Sequence, residues 1–313
     1  MKTYIIGHTK PDTDSVVAAM AAAYLFQKDE TFSRPNAQAV IADSLNPETK
    51  FLFEKFGVEA PPQITADQIK PEDQIVLVDH NEESQRLAGL NPEQIVEIID
   101  HHKPQISLIQ PIFINFKVWG STSTIIYYFM KQQGVMPEAS LASLMLAAIL
   151  SDTLGYKSPT TTDKDRKFGA ELAGLAGIED IEAFTLEIFK AKSDLSSLTD
   201  EQIVSNDFKI FEFNKKTFIN QLETVEQELI LNDKKDSLLK AMEKTKQAKG
   251  VELLFVAITD ILKVNTTLLI LGEEEARVAQ KAFGGQVKDH TLDIGSKLSR
   301  KKEIAPAIEK ALA

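Results

Sequence analysis

The chain has 313 residues, which exceeds one ordinary hydrophobic core and predicts two domains. Its hydrophobic fraction of 43% and charged fraction of 26% are typical of a globular protein, and the net charge of −11 argues against a general nucleic-acid-binding surface. There is no cysteine, so disulfides and thiolate metal ligands are excluded, and a reducing, cytoplasmic location is expected.

The first half of the chain alternates between strand-like and helix-like segments. The predicted strands are Tyr4–Gly7, Ala37–Ala42, Ile75–Val78, Val96–Ile99 and Phe113–Val118. The predicted helices are Asp14–Gln27, Glu48–Phe56, Ser121–Gln133, Ala139–Ser151, one from the segment Lys157–Asp163 to about Gly174, and Ile181–Ala191. Apolar runs without alternation, separated by helices, indicate a doubly wound parallel sheet over residues 1–191. Such sheets bind ligands at the carboxyl ends of their strands.

The composition becomes polar at residues 192–200, where we place a linker between two domains. Residues 201–313 are predicted to form a smaller α/β domain with a mixed sheet. Its predicted elements are strands Lys209–Phe213 and Thr217–Thr224, a long charged helix Glu226–Lys249, strands Glu252–Thr259 and Thr266–Leu271, and a last helix near Pro306–Leu312. Pro306 suits a first helical turn, which leaves the basic run Ser299–Lys302 in the preceding loop.

The start of the chain shows no signal peptide, because a strand pattern begins at once and no cleavage site follows. The longest apolar runs, Val16–Phe26 and Leu144–Leu150, are too short to span a bilayer. We therefore expect neither a membrane nor a nucleic acid among the partners of this chain.

Four of the five histidines follow predicted strands, and aspartates accompany them. The segments are His8–Asp14, Asp79-His80 and Asp100-His101-His102, and Asp152 follows the buried helix. Each segment alone has an ordinary interpretation as a turn, a helix cap or a surface residue. Parallel strands converge at their carboxyl ends, so their coincidence at three strand ends favours a shared metal site.

Because thiolates are absent, a bound ion must be held by imidazole and carboxylate, which favours Mn²⁺, Mg²⁺, Co²⁺ or Zn²⁺. Two divalent ions about 3.5–4 Å apart can share a carboxylate and a water, lower the pKa of that water and polarise a phosphoryl oxygen. Oxygen-rich ligands with one or two imidazoles suit Mn²⁺ better than a structural zinc ion. An acidic protein must then hold an anionic substrate with metals and local cations.

At these positions the chain resembles a known superfamily. The motifs His8-Thr-Lys-Pro-Asp12-Thr-Asp14-Ser, Val78-Asp79-His80-Asn81, Asp100-His101-His102 and Ser151-Asp152 resemble those of the DHH phosphoesterases. Ser299-Arg300-Lys301-Lys302 resembles the signature of one branch, the family II (manganese-dependent) inorganic pyrophosphatases. The resemblance covers nearly the whole chain. It implies hydrolysis of pyrophosphate to two phosphates by a hydroxide bridging two metals, in a cleft between the domains.

The resemblance also implies six metal ligands and two Mn²⁺ ions per subunit, with Co²⁺ as an alternative and further Mg²⁺ arriving with substrate. His8 and Asp12 resemble ligands of one ion, Asp14, His101 and Asp152 resemble ligands of the other, and Asp79 resembles the bridging carboxylate. Lys10 stands beside them where many members carry asparagine, and it replaces no ligand. The family further implies a homodimer through the N-terminal domain.

A second group of residues is implied to contact substrate. His102 resembles a histidine that contacts substrate and helps protonate the leaving phosphate, while Lys209, Arg300 and Lys301 resemble the clamp on that phosphate. Arginine binds phosphate with a bidentate fork and lysine acts as a point charge. A basic run near a C-terminus is usually a solvated face, but the metal motifs favour the clamp.

Three alternatives stay open. A DHH nucleotide phosphodiesterase would typically carry a Gly-His motif, whereas Gly284-Gly285 is followed by Gln286. An exopolyphosphatase is harder to separate, because the same clamp can hold longer chains. A non-catalytic metal or phosphate sensor is disfavoured because all predicted ligand positions are intact.

Overall fold

The structure is a computed structural model that describes residues 1–28, 34, 36–108, 110–195 and 198–313. The chain divides into two compact units, Met1–Ala191 and Lys192–Ala313. Within the predicted linker, residues 193–195 and 198–199 lie outside regular helices and strands, and residues 196 and 197 lie outside the described residues.

The N-terminal unit contains a five-stranded sheet with the order β2-β1-β3-β4-β5. Its strands are β1 Thr3–Ile6, β2 Ala37–Val40, β3 Gln74–Val78, β4 Ile95–Asp100 and β5 Phe113–Phe116. Its helices are α1 Thr13–Lys28, α2 Pro47–Phe56, α3 Thr122–Gln132, α4 Ala139–Asp152, α5 Asp163–Ala176 and α6 Ile181–Lys192. All four strand pairs are parallel, which confirms the predicted sheet. The strand order reverses between β1 and β3, and this is where such sheets place ligands.

The two faces of this sheet are covered differently. Successive strand residues point to opposite faces, so Ile5 packs in the core that contains the helices and Ile6 packs in the core on the other face. On that second face the partners come from irregular segments, such as Ile64 and Leu87. Both faces of the central strands β1, β3 and β4 are buried, and this explains why these strands read as continuous apolar runs.

The C-terminal unit contains a second five-stranded sheet with the order β10-β9-β8-β7-β6. Its strands are β6 Phe208–Glu212, β7 Lys216–Thr224, β8 Leu253–Asp260, β9 Asn265–Ile270 and β10 Thr291–Asp293. Its helices are α7 Asp200–Val204, α8 Gln227–Asp233, α9 Lys235–Lys249, α10 Glu273–Phe283 and α11 Ala305–Leu312. Strands β7 and β8 are parallel and the other pairs are antiparallel, so the predicted mixed sheet is confirmed.

Two predictions for this unit were wrong. The long helix predicted over Glu226–Lys249 is two helices that meet at Lys234, because Asn232 and Asp233 favour turns over helix continuation. The basic run predicted as a loop lies in a π-helical turn, Arg300–Ile304, directly before α11. Helices α7 and α10 and strand β10 were not predicted.

None of the helices in the described part of the chain is long and apolar enough to cross a membrane.

Candidate metal centre

The six predicted metal ligands come from four segments of the chain, three of which follow the carboxyl ends of strands. His8 follows β1, Asp12 and Asp14 flank the start of α1, Asp79 follows β3, His101 follows β4, and Asp152 is the last residue of α4. Asp79 has a left-handed backbone, with φ of 60°, a conformation that aspartate tolerates better than most residues. Strand β3 therefore ends in a turn that carries the Asp79 carboxylate.

Three overlapping groups of ligand atoms each lie within 4.8 Å of one another. The groups are His8, Asp12 and Asp79; Asp14, Asp79, His101 and Asp152; and Asp79, His101 and His102. Asp79 is common to all three. The structure thus brings together every residue that the sequence predicted as a metal ligand. His80, which also follows β3, lies outside these groups.

The two oxygens of Asp79 face different histidines. Oδ2 of Asp79 lies 3.6 Å from Nε2 of His8, and Oδ1 lies 3.3 Å from Nε2 of His101. Nε2 of His8 also lies 3.5 Å from Oδ2 of Asp12, and Nε2 of His101 lies 3.7 Å from Oδ2 of Asp152. This places Asp79 between two groups of donors, one on each side.

Backbone carbonyls fix the tautomers of the two histidines. Nδ1 of His8 lies 2.8 Å from the carbonyl of Thr9, and Nδ1 of His101 lies 3.0 Å from the carbonyl of Trp119. A carbonyl only accepts, so each Nδ1 carries the proton and each Nε2 presents a lone pair to the cluster. Nε2 of His101 is buried and has no hydrogen-bond partner among the described residues. An orphaned buried nitrogen amid carboxylates fits a metal ligand.

The carboxylates of the cluster repel one another. Burial, with the charges of Asp14 and Asp12, raises the pKa of both Asp79 and Asp152 well above the ordinary value. At His8 burial opposes the charged form, but the hydrogen bond and charge of Asp12 raise its pKa nonetheless. Divalent cations among these donors would offset the repulsion, and oxygen donors with imidazoles suit Mn²⁺. The residues present therefore fit the implied metal.

Asp14 is held at the N-terminus of α3. Its Oδ1 accepts from Oγ of Ser121 at 2.8 Å and from the backbone N–H of Ser123 at 3.0 Å, and its Oδ2 accepts from the N–H of Thr122 at 2.7 Å. The helix N-terminus favours the charged carboxylate. A carboxylate has about four acceptor sites, so three hydrogen bonds still leave one for a metal. Thr122 also donates its hydroxyl to Oδ1 of Asp79 at 3.0 Å.

The buried Asp100 carboxylate orients His102. Its Oδ1 accepts from the N–H groups of His101 at 2.7 Å and His102 at 3.0 Å, and lies 2.9 Å from Nδ1 of His102. Its Oδ2 accepts from the amide of Asn81 at 2.6 Å. Burial opposes the carboxylate, but these hydrogen bonds lower the pKa of Asp100. Sequence reasoning assigned no role to Asp100 or Asn81, although both stand in the motifs that it singled out.

His80 is buried beside the predicted ligand His8. It is fully buried, its Nδ1 lies 2.9 Å from the carbonyl of Val78, and its ring meets the ring of His8 edge to face at 6.4 Å between centroids. Burial lowers the pKa of His80 to about 4, so its ring is neutral. His80, one of the four histidines that follow strands, therefore packs against the predicted ligand His8.

A cavity of about 700 Å³ opens beside the cluster. Asp12, His101, His102 and Asp152 form part of its wall, and the segment Ser158–Thr162 forms another part. The exposed fraction of the His102 side chain is 49%, so this ring is accessible from solvent. A small anion can therefore reach the cluster.

In the C-terminal unit, the predicted phosphate-binding residues differ in exposure. Lys209 on β6 and Lys301 in the π-helical turn are exposed, whereas Arg300 is buried. Nη1 of Arg300 donates to the backbone carbonyl of Asp207 at 2.6 Å, and its Nη2 lies 2.8 Å from Oδ1 of Asp207. Nζ of Lys209 lies 5.4 Å from the ring centroid of Phe211. Asp207 was not singled out from the sequence.

Family comparisons agree with this architecture. Residues 2–149 match the model of the DHH family, N-terminal domain, and residues 186–311 match the model of the DHHA2 domain. The crystal structure of an exopolyphosphatase-related protein from Bacteroides fragilis shares the fold, with a TM-score of 0.51 at 17% identity over 99% of this chain and 91% of that one. The N-terminal unit thus matches the DHH family, and the C-terminal unit matches the DHHA2 domain.

Proteins with higher sequence identity to this chain identify its family more closely. The manganese-dependent inorganic pyrophosphatase of Methanocaldococcus jannaschii is 38% identical over 98% of both chains, and that of Methanothrix thermoacetophila is 38% identical over 98% of this chain and 97% of its own. A crystal structure from Methanococcus jannaschii, assigned to the family II inorganic pyrophosphatases, superposes with a TM-score of 0.65 at 36% identity over 99% of both chains. The chain belongs to the family of manganese-dependent inorganic pyrophosphatases, and the predicted resemblance is confirmed.

Proposed function

We propose that this chain hydrolyses inorganic pyrophosphate to two phosphate ions, using two divalent metal ions, preferably Mn²⁺. The observation that carries the proposal is the position of Asp79, whose two oxygens face His8 on one side and His101 on the other. A carboxylate placed in this way can bridge two ions. The names of the relatives support pyrophosphate as the substrate.

We assign one ion to His8, Asp12 and Asp79, and the other to Asp14, Asp79, His101 and Asp152, in line with the two donor groups around Asp79. Two divalent ions held by these residues would supply hydroxide near neutral pH and would polarise the phosphoryl oxygens. The same donors accept Co²⁺, and a further Mg²⁺ is expected to enter with the pyrophosphate.

The residues of the chain prepare the reaction by orientation. Asp100 accepts a hydrogen bond from Nδ1 of His102 and orients the ring, so that Nε2, when it is protonated, can donate to the oxygen of the leaving phosphate. Asp14, held by α3, has one acceptor site left and cannot rotate freely. Orientation of these groups before substrate arrives lowers the entropic part of the barrier.

We propose that Lys209, Arg300 and Lys301 hold the leaving phosphate. Two exposed ammonium groups and a guanidinium offer charge and a fork for phosphate oxygens, and the acidic protein otherwise repels a polyanion. The same proposal includes a catalytic domain of residues 1–191, a linker of residues 192–200, a C-terminal domain of residues 201–313, and the cytoplasm as the compartment.

We further propose a homodimer through the N-terminal unit. Strand β5 lies at one edge of the parallel sheet, and the exposed fractions are 63% for Phe113 and 51% for Ile114 on this strand and 93% for Val118 just after it. An apolar edge strand tends to pair with another chain. A second copy of this chain is the occupant that the family implies.

The proposal is tested by phosphate release from the Mn²⁺-loaded protein, with pyrophosphate, tripolyphosphate and a dinucleotide as parallel substrates. We expect rapid release from pyrophosphate and slow or no release from the others. Preferential cleavage of the dinucleotide would move the chain to the phosphodiesterases, and preferential cleavage of tripolyphosphate would move it to the exopolyphosphatases. Bound Mn²⁺ without turnover of any substrate would indicate a sensor.

A further inference from the structure

The guanidinium of Arg300 forms an ion pair with a carboxylate of the same chain, that of Asp207. Nη2 lies 2.8 Å from Oδ1 of Asp207, and Nη1 donates to the carbonyl of the same residue at 2.6 Å. The two ends of this pair differ in exposure, because 10% of the Arg300 side chain but 63% of the Asp207 side chain is accessible to solvent. The exposed Asp207 carboxylate therefore contacts the guanidinium of an arginine side chain that is mostly buried.

We propose that Asp207 competes with phosphate for Arg300 and thereby weakens the binding of substrate and speeds the release of product. The inference rests on the proposed function, in which Arg300 holds the leaving phosphate. Carboxylate and phosphate both bind the N–H groups of a guanidinium, and an Asp207 oxygen 2.8 Å from Nη2 takes one N–H of that nitrogen and repels a phosphate that approaches the others.

The backbone of Arg300 does not depend on this ion pair. Its N–H donates to Oε1 of Gln221 at 3.0 Å, and Nε2 of Gln221 donates to the carbonyl of Leu298 at 2.8 Å. Oε2 of Glu303 accepts from the N–H groups of Leu298 at 3.0 Å and Ser299 at 3.1 Å. These contacts fix the chain on both sides of Arg300, so removal of the Asp207 carboxylate leaves the arginine anchored.

Not every N–H group of the Arg300 guanidinium has a hydrogen-bond acceptor among the described residues. Nε of Arg300 is buried and, among the described residues, has no acceptor. A phosphate group offers three or four oxygens where Asp207 offers one side-chain oxygen and its carbonyl. The displaced Asp207 carboxylate returns to water at little cost, because it is already largely exposed. The exchange is therefore easy, and the remaining negative charge of Asp207 near the site favours departure of phosphate.

Asp207→Asn tests the inference, because it removes the charge and keeps the shape and the backbone carbonyl. We expect the KM for pyrophosphate and the inhibition constant of free phosphate both to fall by about three- to tenfold. A change of this size corresponds to the energy of a charged hydrogen bond in partly exposed surroundings. We expect kcat to stay the same or to fall as product leaves more slowly. Phosphate binding to the full chain by calorimetry gives a readout that needs no turnover.

Glu212→Gln is the matched control, because Glu212 is an exposed acid at the far end of β6. It removes the same charge at the opposite end of β6 from Asp207, and we expect both constants to change less than twofold. In an Arg300→Lys background the fork is gone, and the effect of Asp207→Asn should disappear.

A rise or no change in both constants for Asp207→Asn, in a protein whose wild type hydrolyses pyrophosphate, would overturn the competition and make Asp207 a support of Arg300. If the wild type does not hydrolyse pyrophosphate, the proposed function fails instead. The calorimetric comparison then still decides whether Asp207 competes with phosphate, and equal affinities would overturn it.

Discussion

The carboxylate of Asp100 lies 2.9 Å from Nδ1 of His102 and accepts the N–H groups of both His101 and His102. One buried side chain therefore fixes the backbone turn that carries a metal ligand and the tautomer of the proposed proton donor. Asn81 completes the arrangement by donating to the second oxygen of Asp100.

Asp100→Asn should lower kcat about 10- to 100-fold, the range found when the partner of a functional histidine is lost. The neutral amide keeps one acceptor oxygen but introduces an NH₂ group where every neighbouring group is a donor, so the hydrogen bonds that orient His102 are weakened. The measurement is kcat for pyrophosphate together with the Mn²⁺ content of the purified variant. An unchanged kcat at full Mn²⁺ content would exclude this role.

Ser121→Ala should weaken Mn²⁺ binding about tenfold, because Asp14 loses one of its three donors. Ser123→Ala is a matched control: both serines are buried, but Oγ of Ser123 has no hydrogen-bond partner in the described part of the chain. The Mn²⁺ dissociation constants of the two variants, measured by titration, give the answer. Equal values would mean that the Ser121 hydroxyl does not support the ligand.

Asp73 should make stability depend on pH far from the metal centre. Hydrogen bonds from the backbone N–H groups of Lys2 at 2.7 Å and Lys70 at 3.1 Å, with the former the larger cause, lower the pKa of Asp73. A carboxyl whose pKa is lower in the folded state stabilises the fold above its unfolded pKa of about 3.9, and this contribution is lost as pH falls through the folded pKa.

Asp73→Asn should therefore lower the unfolding midpoint at pH 7, and the difference from wild type should shrink below about pH 3.9. Denaturant unfolding at pH 7, 5 and 3.5 measures this, with the exposed Asp67→Asn as control. A difference that grows toward low pH would contradict the assignment.

Lys10 has a left-handed backbone, with φ of 52°, and donates its N–H to Oδ2 of Asp43 at 2.7 Å. A lysine in this conformation costs roughly 1 kcal/mol, and asparagine tolerates it better. Lys10→Asn should raise the melting temperature by a few degrees with Mn²⁺ affinity retained, whereas Lys10→Ala should give no gain. Calorimetric scans of the metal-free proteins distinguish the two, and equal melting temperatures would contradict a backbone origin.

Ile114→Lys should convert the proposed dimer into a monomer, because a charge on an apolar edge strand opposes pairing with a second chain. The molar mass from light scattering after gel filtration gives the oligomeric state. Leu186→Lys, on the exposed side of α6, is the control and should leave the mass unchanged. A monomeric wild type would contradict the proposed dimer.

Much of the metal centre could be predicted because its residues follow strands directly. His8, Asp79 and His101 each stand at the carboxyl end of a strand, where the apolar run itself locates them. The supporting contacts could not be predicted, because Asp14 and Ser121 are separated by 107 positions and meet only through the packing of α1 against α3.

The wrong predictions have a similar cause. The N–H of Arg300, at the start of the π-helical turn Arg300–Ile304, donates to Gln221, a residue of β7 that is 79 positions away, and local sequence cannot reveal this contact. The break at Lys234 is different, since Asn232 and Asp233 were a local signal that the charged helical pattern obscured.

Anomalous diffraction at the manganese edge, from crystals of the Mn²⁺-loaded protein, tests the central claim most directly. We predict two peaks about 3.5–4 Å apart, one beside His8 and Asp12 and one beside Asp14, His101 and Asp152, with one oxygen of Asp79 on each. A single peak, or two peaks that do not share Asp79, would contradict the two-metal site and the mechanism built on it.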